Sequence, residues 1–349
     1  MPDSAVPPTQ KFDWEPRDKD IKTYGHFDRR ISSANLTAIA NDPERVAKHA
    51  FLPLLLFNEE WTKFRKDDDG QVKKKVRPIR YAARTDAAIY ARYRASLSEK
   101  YEKELAKRGL QNVPIAYRAL PIGSHSPGNK SNIDFAYDAF SKIREFGECI
   151  VSVVDISSYF ESIDHDRIRQ NWELLLGSNL PPDHEAIFKS VTRYAVVDLE
   201  RAIERLELNE KNASGPRKIR RQRRIDTLRS KGHVQLCSMK DFRDKICGED
   251  TKYKSLIVTN GRPFGIPQGT PISDLIANFY LLDFDSLVND WVKNRGGIYW
   301  RYSDDIIVIL TTDSTPDINA AKNFLQGKIG EFGSRLKVQN RDLYTCVTH

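Results

Sequence analysis

Paired cysteines are missing from this chain. Cys149, Cys237, Cys247 and Cys346 are its four cysteines, and none stands in a CxxC spacing. Neither a disulfide framework nor a zinc ribbon is indicated, and His233, Cys237 and Cys247 are read as packed side chains rather than zinc ligands. Long hydrophobic runs are also missing. The longest, Ala50 to Phe57, falls well short of the roughly 20 residues that a membrane-spanning helix requires. Met1-Pro2-Asp3-Ser4 lacks the basic-then-apolar pattern of a signal peptide, so a cytoplasmic protein with no membrane partner is expected. There is no internal repeat. What is present is an apolar content of 40% in 349 residues, enough for a substantial core and for two lobes or more. A formal net charge of +8 suits a polyanionic partner, although it also suits an ordinary soluble protein.

The first 32 residues, rich in Pro, Asp and Lys, read as an arm rather than a core element. From Ser33, the positions of Leu36, Ile39, Val46, Ala50 and Leu54 to Leu56 suggest helical packing, broken near Asp42-Pro43 and at Pro53. The acidic loop Lys66-Asp67-Asp68-Asp69-Gly70, followed by basic and β-branched residues up to Arg80, predicts a hairpin. Asp86 to Arg108 reads as one or two helices. Glu148 to Ile156 has the profile of a strand buried on both faces, and Ile163 to Leu176 and Asp183 to Leu206 look helical. Residues 209–231 form a basic insertion containing Arg217, Arg220, Arg221, Arg223 and Arg224. A dense basic run without stacking aromatics fits binding of nucleic-acid backbone, and fits a solvated linker as well. Gly261 to Pro271 is a Gly/Pro-rich loop, and Ser273 caps a helix whose apolar face is Leu275, Ile276, Phe279 and Leu282. Ile298 to Tyr302 and Ile306 to Leu310 flank Ser303-Asp304-Asp305, which predicts a hairpin with two carboxylates at its tip.

Adjacent aspartates between two apolar strands repel each other near a core unless a cation neutralises them. Taken alone, Tyr302-Ser303-Asp304-Asp305 also fits a simple Asp-containing turn, and Asp155 fits a helix N-cap. A strand end carrying Asp155 and a hairpin tip carrying Asp304 and Asp305 would together supply hard oxygen ligands, which select magnesium or manganese.

Several motifs in order then resemble the reverse transcriptase family. Asp155-Ile156-Ser157-Ser158-Tyr159-Phe160 is similar to its first palm motif, Gly265 to Ser273 to its second and Tyr302-Ser303-Asp304-Asp305 to its third, while Arg77-Pro78-Ile79 resembles its fingers motif. Ala116-Tyr117-Arg118 and Asn129 to Ala136 resemble, more narrowly, the bacterial abortive-infection and defence-associated members. The similarity runs from about Phe51 to Leu343.

The resemblance implies an α+β right-hand polymerase: fingers over 33–147 and a palm over 148–349, a small antiparallel sheet backed by helices. It implies RNA-directed DNA synthesis in antiphage defence with two Mg²⁺ or Mn²⁺ ions. Asp155 and Asp304 would be the ligands, Asp305 an auxiliary one, and the Ile156 carbonyl a further contact. Arg77, Lys73 and Lys75 would reach the triphosphate and Gln268 and Gly269 the nucleotide and template, although the lysines also fit a solvated hairpin and the loop a Gly-rich turn. Phe160 would exclude the ribose 2′-hydroxyl, or else merely pack the palm. Lys337 matches the family's later lysine only loosely. A helical thumb does not fit in the residues after it, so an absent or truncated thumb is expected. The partners implied are an RNA template, deoxynucleoside triphosphates and a DNA product, with oligomers compatible. Template-independent or protein-primed synthesis, and a catalytically silent RNA-binding scaffold, are the competing readings. A palm-type nucleotide cyclase leaves the Pro267-Gln268-Gly269 loop unexplained.

Overall fold

The computed structural model describes residues 12–62, 74–123, 126–208, 223, 225–228, 230–232, 234–312, 317 and 319–346. Its strands are β1 (Leu54–Thr62), β2 (Lys74–Tyr81), β3 (Pro121–Gly123), β4 (Ser126–Asn129), β5 (Cys149–Ile156), β6 (Ala195–Asp198), β7 (Val258–Thr259), β8 (Ile298–Tyr302), β9 (Asp305–Thr311) and β10 (Val338–Cys346). Packing divides the chain into two interleaved units, Met1–Leu97 with Ser178–Ser273 and Ser98–Gly177 with Asp274–His349. Each unit holds one four-stranded sheet among the described residues, in an α+β arrangement. The cut at 147/148 read from the sequence follows motif order, whereas this division follows packing. Among the described residues no helix is long and apolar enough to cross a membrane.

In the first unit the strand order is β2-β1-β6-β7, with β1 antiparallel to β2 and parallel to β6. Three expectations from the sequence change here. Leu54 to Leu56 open a strand rather than continue helical packing. A short apolar run after Pro53 has no period of its own, and pairing on both sides, with Arg80-Tyr81 and with Val196 to Asp198, decides its state. Asp183 to Leu206 is not continuous helix either. Helix Pro182–Thr192 is followed by β6, whose β-branched Val196 and Val197 suit a sheet. Asp198 then caps helix Leu199–Arg205 by accepting the Arg201 N–H at 2.9 Å. The third change concerns the arm, of which residues 1–11 lie outside the described residues. Phe27 is fully buried in the core with Leu55, Val197, Ile203, Phe242 and Ile246, and Trp14 is buried too. These anchors join the core from irregular backbone, so they leave no periodic signal. Cys237 and Cys247 pack against the same core, and burial pushes the Cys237 thiol up to about 11.

In the second unit the sheet is antiparallel throughout, in the order β10-β5-β9-β8. Helix Asn132–Phe146 sets Ile143 and Phe146 against Cys149, Val151 and Ile309 on one face. Helix Leu282–Lys293 packs on β8 and presents Asp285 to Tyr299 and Arg301 on the other. Arg301 and Asp285 are both 0% exposed. The guanidinium donates from Nε to Asp285 Oδ1 at 2.8 Å and from Nη2 to Oδ2 at 2.6 Å. Its remaining donors reach the Ser303 carbonyl at 3.0 Å, Asn278 Oδ1 at 3.3 Å and the Asn278 carbonyl at 3.1 Å. Burial alone would lower the Arg301 pKa, but the Asp285 carboxylate beside it holds it well above the usual value.

Removing one partner of a buried, fully bonded pair strands the other charge, at a cost of about 3–5 kcal/mol. Asp285→Ala is therefore expected to lower the stability of the folded chain by that amount in urea unfolding. The double variant Asp285→Leu/Arg301→Met, which removes both charges, should recover most of it. A single variant as stable as the wild type would mean that the pair is not the anchor described.

Candidate active site

Strand pairing brings the ends of β5, β9 and β8 together. Asp155 lies opposite Asp305 across β5 and β9, Asp305 opposite Tyr302 across β9 and β8, and Gln339 opposite Asp155 across β10 and β5. Directly opposed residues share a sheet face, so these four form one row, with the Cβ atoms of the two aspartates about 4.5–5.5 Å apart. Asp304 sits in the adjoining turn, and its carbonyl accepts the Ile156 N–H at 2.9 Å, which ties the hairpin tip to the end of β5. Along the β5 face that ends in Asp155, Cys149 and Val151 are buried while Val153 and Asp155 are half-buried, so the face opens toward the carboxylates.

All three aspartates are half-buried and offer hard oxygen donors. Among the described residues no three His, Cys, Asp or Glu side chains close into a metal-binding group. The backbone thus aligns Asp155, Asp304 and Asp305 at one end of the sheet without gathering their carboxylates around a common centre. Ile156, expected to offer a carbonyl, contributes its N–H as the strut to Asp304. The Lys337 carbonyl accepts the Ser157 N–H at 2.9 Å, which places that residue's backbone beside the strand end while its side chain is exposed.

Phe160 lies on the short helix Tyr159–Ser162, entered through Ser158 in a left-handed conformation with φ 47°. Its neighbour Tyr159 is buried and donates its hydroxyl to the Ala277 carbonyl. Phe160, its ring centroid 5.9 Å from that of Tyr159, is half-buried. Tyr117 is a residue to which the sequence assigned no role. Its backbone is left-handed with φ 60°, its side chain is half exposed, and its ring centroid lies 6.3 Å from that of Tyr302. Burial pushes its pKa up, and the negative charges of Asp274 and Asp304 add to the rise. Arg118 fixes the segment by donating to Glu102 and to the carbonyls of Gln111 and Pro114, and Asn278 donates to the Ala116 carbonyl at 2.7 Å. The available signal was the Ala116-Tyr117-Arg118 stretch of the narrower resemblance, which names no contact.

The remaining expected substrate residues belong to the first unit. Arg80 on β2 donates its N–H to the Gln268 carbonyl at 2.9 Å, docking the Gly/Pro-rich loop on the outer edge of the strand that also carries Arg77 and Lys75. Arg77 lies opposite Glu59 on β1. Gly269 sits where this approach is tightest: its φ is +113°, and a Cβ there would come within 2.9 Å of both the Arg80 carbonyl and Ile79. Ser273, at the start of helix Ser273–Tyr280, shares a 2.6 Å hydrogen bond with Thr270. Lys73 lies outside the described residues, as do Arg217, Arg220, Arg221 and Arg224 of the basic insertion. Arg223 is described and exposed, and its carbonyl accepts the Thr227 hydroxyl at 2.8 Å.

Gly269→Ala adds both a strained φ and a backbone clash, at a cost of about 1–3 kcal/mol, concentrated on the docked loop. Hydrogen exchange at the Arg80 amide should accelerate in the variant while amides of β5 keep wild-type protection. Unchanged exchange at Arg80 would show that the loop is not held there.

No protein-family model matches the chain, and no curated protein sequence matches it. Among solved structures, apo telomerase from Candida tropicalis truncated from its C-terminal domain is similar with a TM-score of 0.47 and 9% identity, over 91% of this chain and 57% of that one. Telomerase from the same organism in complex with a TWJ fragment of telomeric RNA is similar with a TM-score of 0.39 and 11% identity, over 87% of this chain and 43% of that one. The chain thus spans about half the length of these structures.

Proposed function

We propose that the chain is a metal-dependent nucleotidyltransferase that extends DNA on an RNA template, a reverse transcriptase. The observation that supports this most is the row in which Asp155 faces Asp305, with Asp304 tied to the same strand end by the Ile156 N–H. Like charges directly opposite on a sheet destabilise it, and a hard divalent cation offsets that cost while putting the carboxylates to use. The donor set, carboxylate oxygen without His or Cys, fits Mg²⁺ or Mn²⁺. Two such ions held by Asp155 and Asp304, with Asp305 as auxiliary ligand or electrostatic support, would supply the positive charge that activates a primer hydroxyl and stabilises a leaving pyrophosphate.

The chain's own residues then bind and orient. Arg77 offers a cationic fork for a triphosphate, with Lys73 and Lys75 adding charge. Gln268 and Gly269 contact the nucleotide and its template, and Phe160 selects the deoxyribose. The basic insertion holds nucleic-acid backbone without reading sequence. The likeness of Asn129 to Ala136 to the defence-associated members extends the reading to antiphage defence, with a cognate noncoding RNA as the template.

Asp304→Asn or Asp155→Asn should reduce deoxynucleotide incorporation by about a thousandfold or more, while circular dichroism and urea unfolding show a folded chain at least as stable as the wild type. Wild-type incorporation by either variant would end the polymerase reading.

Phe160→Val should raise ribonucleotide relative to deoxynucleotide incorporation by about 10–200-fold, because the ring is replaced by space for a 2′-hydroxyl. Single-nucleotide extension with each sugar is the measurement. A Phe160→Val enzyme that stays active with undiminished discrimination would remove Phe160 from the nucleotide site.

A further inference from the structure

A cleft of about 560 Å³ opens on the sheet of the first unit. Its floor is apolar. Leu56, Val196 and Val258 lie on one sheet face by register, since Val196 pairs with Val258 and with Leu54, two residues from Leu56. Val258, on the edge strand β7, is 68% exposed. Tyr194 forms an aromatic wall, and Arg80, Arg201 and Arg262 line the rim. Asp198 is the one acidic residue lining the cleft among the described residues, and its Oδ1 is engaged by the Arg201 N–H.

Two of these arginines are held in place by their surroundings. The side-chain amide of buried Asn260 donates to the carbonyls of Thr192, Phe264 and Gly265 at 2.9, 3.1 and 3.2 Å. Its Oδ1 accepts the Arg262 Nε–H at 3.2 Å, and the Arg262 guanidinium lies 4.9 Å from the Phe264 ring centroid. The Arg80 guanidinium lies 5.8 Å from the Tyr194 ring centroid. An arginine positioned in advance loses less side-chain freedom when it binds an anion.

We propose that this cleft binds a nucleotide unit, its base on the Leu56–Val196–Val258 floor against Tyr194 and its phosphate between Arg201 and Arg262. A flat apolar floor without cationic rim groups would suit any hydrophobe, and arginines without the floor would suit any anion. Their combination at a volume within the usual ligand range of about 300–1,000 Å³ selects a ring that carries phosphate. The unit comes either from a free nucleotide or from a single strand that lays one residue there. This assignment stands apart from the aspartate row and does not rest on nucleotidyl transfer.

The test is a fluorescence titration of the full chain with trinitrophenyl-ADP in EDTA, with displacement by AMP and by a short oligoriboadenylate. Saturable binding is expected. Arg201→Ala and Arg262→Ala should each weaken it about tenfold or more, since each removes a charge-assisted contact. Val258→Glu should weaken it similarly by placing a negative charge in the apolar floor on which the base packs. All three positions are exposed, so folding is preserved, and circular dichroism checks it. Asp304→Asn should bind as the wild type does, which separates this cleft from the polymerase reading. Displacement by AMP assigns the cleft to a free nucleotide, and displacement by the oligonucleotide alone assigns it to a strand. Either result supports the proposal. No saturable binding by the wild type, or unchanged binding by the folded Arg201→Ala/Arg262→Ala double variant, would overturn it.

Discussion

A guanidinium with no solvent exposure must have every donor satisfied or shift the structure until it does. In the second unit Arg301 meets that requirement through Asp285, Asn278 and the Ser303 carbonyl. Its backbone meets a further segment, donating to the Val113 carbonyl and accepting from the Ile115 N–H, both at 2.9 Å. One residue therefore joins two helices, a strand, the segment before β3 and the turn that carries Asp304. Because the charge cannot be left unpaired, these elements share a single arrangement. The aspartate row on the opposite sheet face inherits that rigidity.

Strain collects around the same row. Four described residues other than glycine have positive φ, and three of them are near this row: Ser158 and Ser303 in sequence, and Tyr117 through its ring contact with Tyr302. Left-handed backbone at a residue with a Cβ costs about 1–3 kcal/mol and persists where surrounding contacts over-determine it. Arg118, Asn278 and Arg301 supply those contacts for Tyr117 and Ser303. The turn and the strand end are held in place at a cost in stability.

In the first unit the governing constraint is a sheet edge. β2 is the outer strand, and an exposed row of N–H and C=O groups invites pairing. The Gln268 carbonyl answers one of those groups, and glycine at position 269 is what lets the loop come close enough to do so. Pro78 fits the same strand because an edge tolerates a missing donor. On the sheet's face, the constraint is the buried Asn260, which shapes the loop around Arg262 and so turns a mobile cation into a placed one.

Local chemistry was readable from residues alone. The apolar run ending in Asp155, the hairpin through Ser303-Asp304, the Gly/Pro-rich loop and the helix beginning at Ser273 each carry their signal within a few neighbouring positions and stand where that signal put them, although Asp305, expected at the tip, opens β9. What tertiary structure decided depends on partners remote in the chain. Leu54 to Leu56 became strand because β2 and β6 lie on either side, and Phe27 became core because Phe242 and Ile246 surround it. Arg301 and Asp285 look like misplaced charges on apolar elements until each is seen to satisfy the other, and Asp155 meets Asp305 through a strand register that no local pattern encodes. A sequence shows what a side chain requires; only the folded backbone supplies the group that meets the requirement.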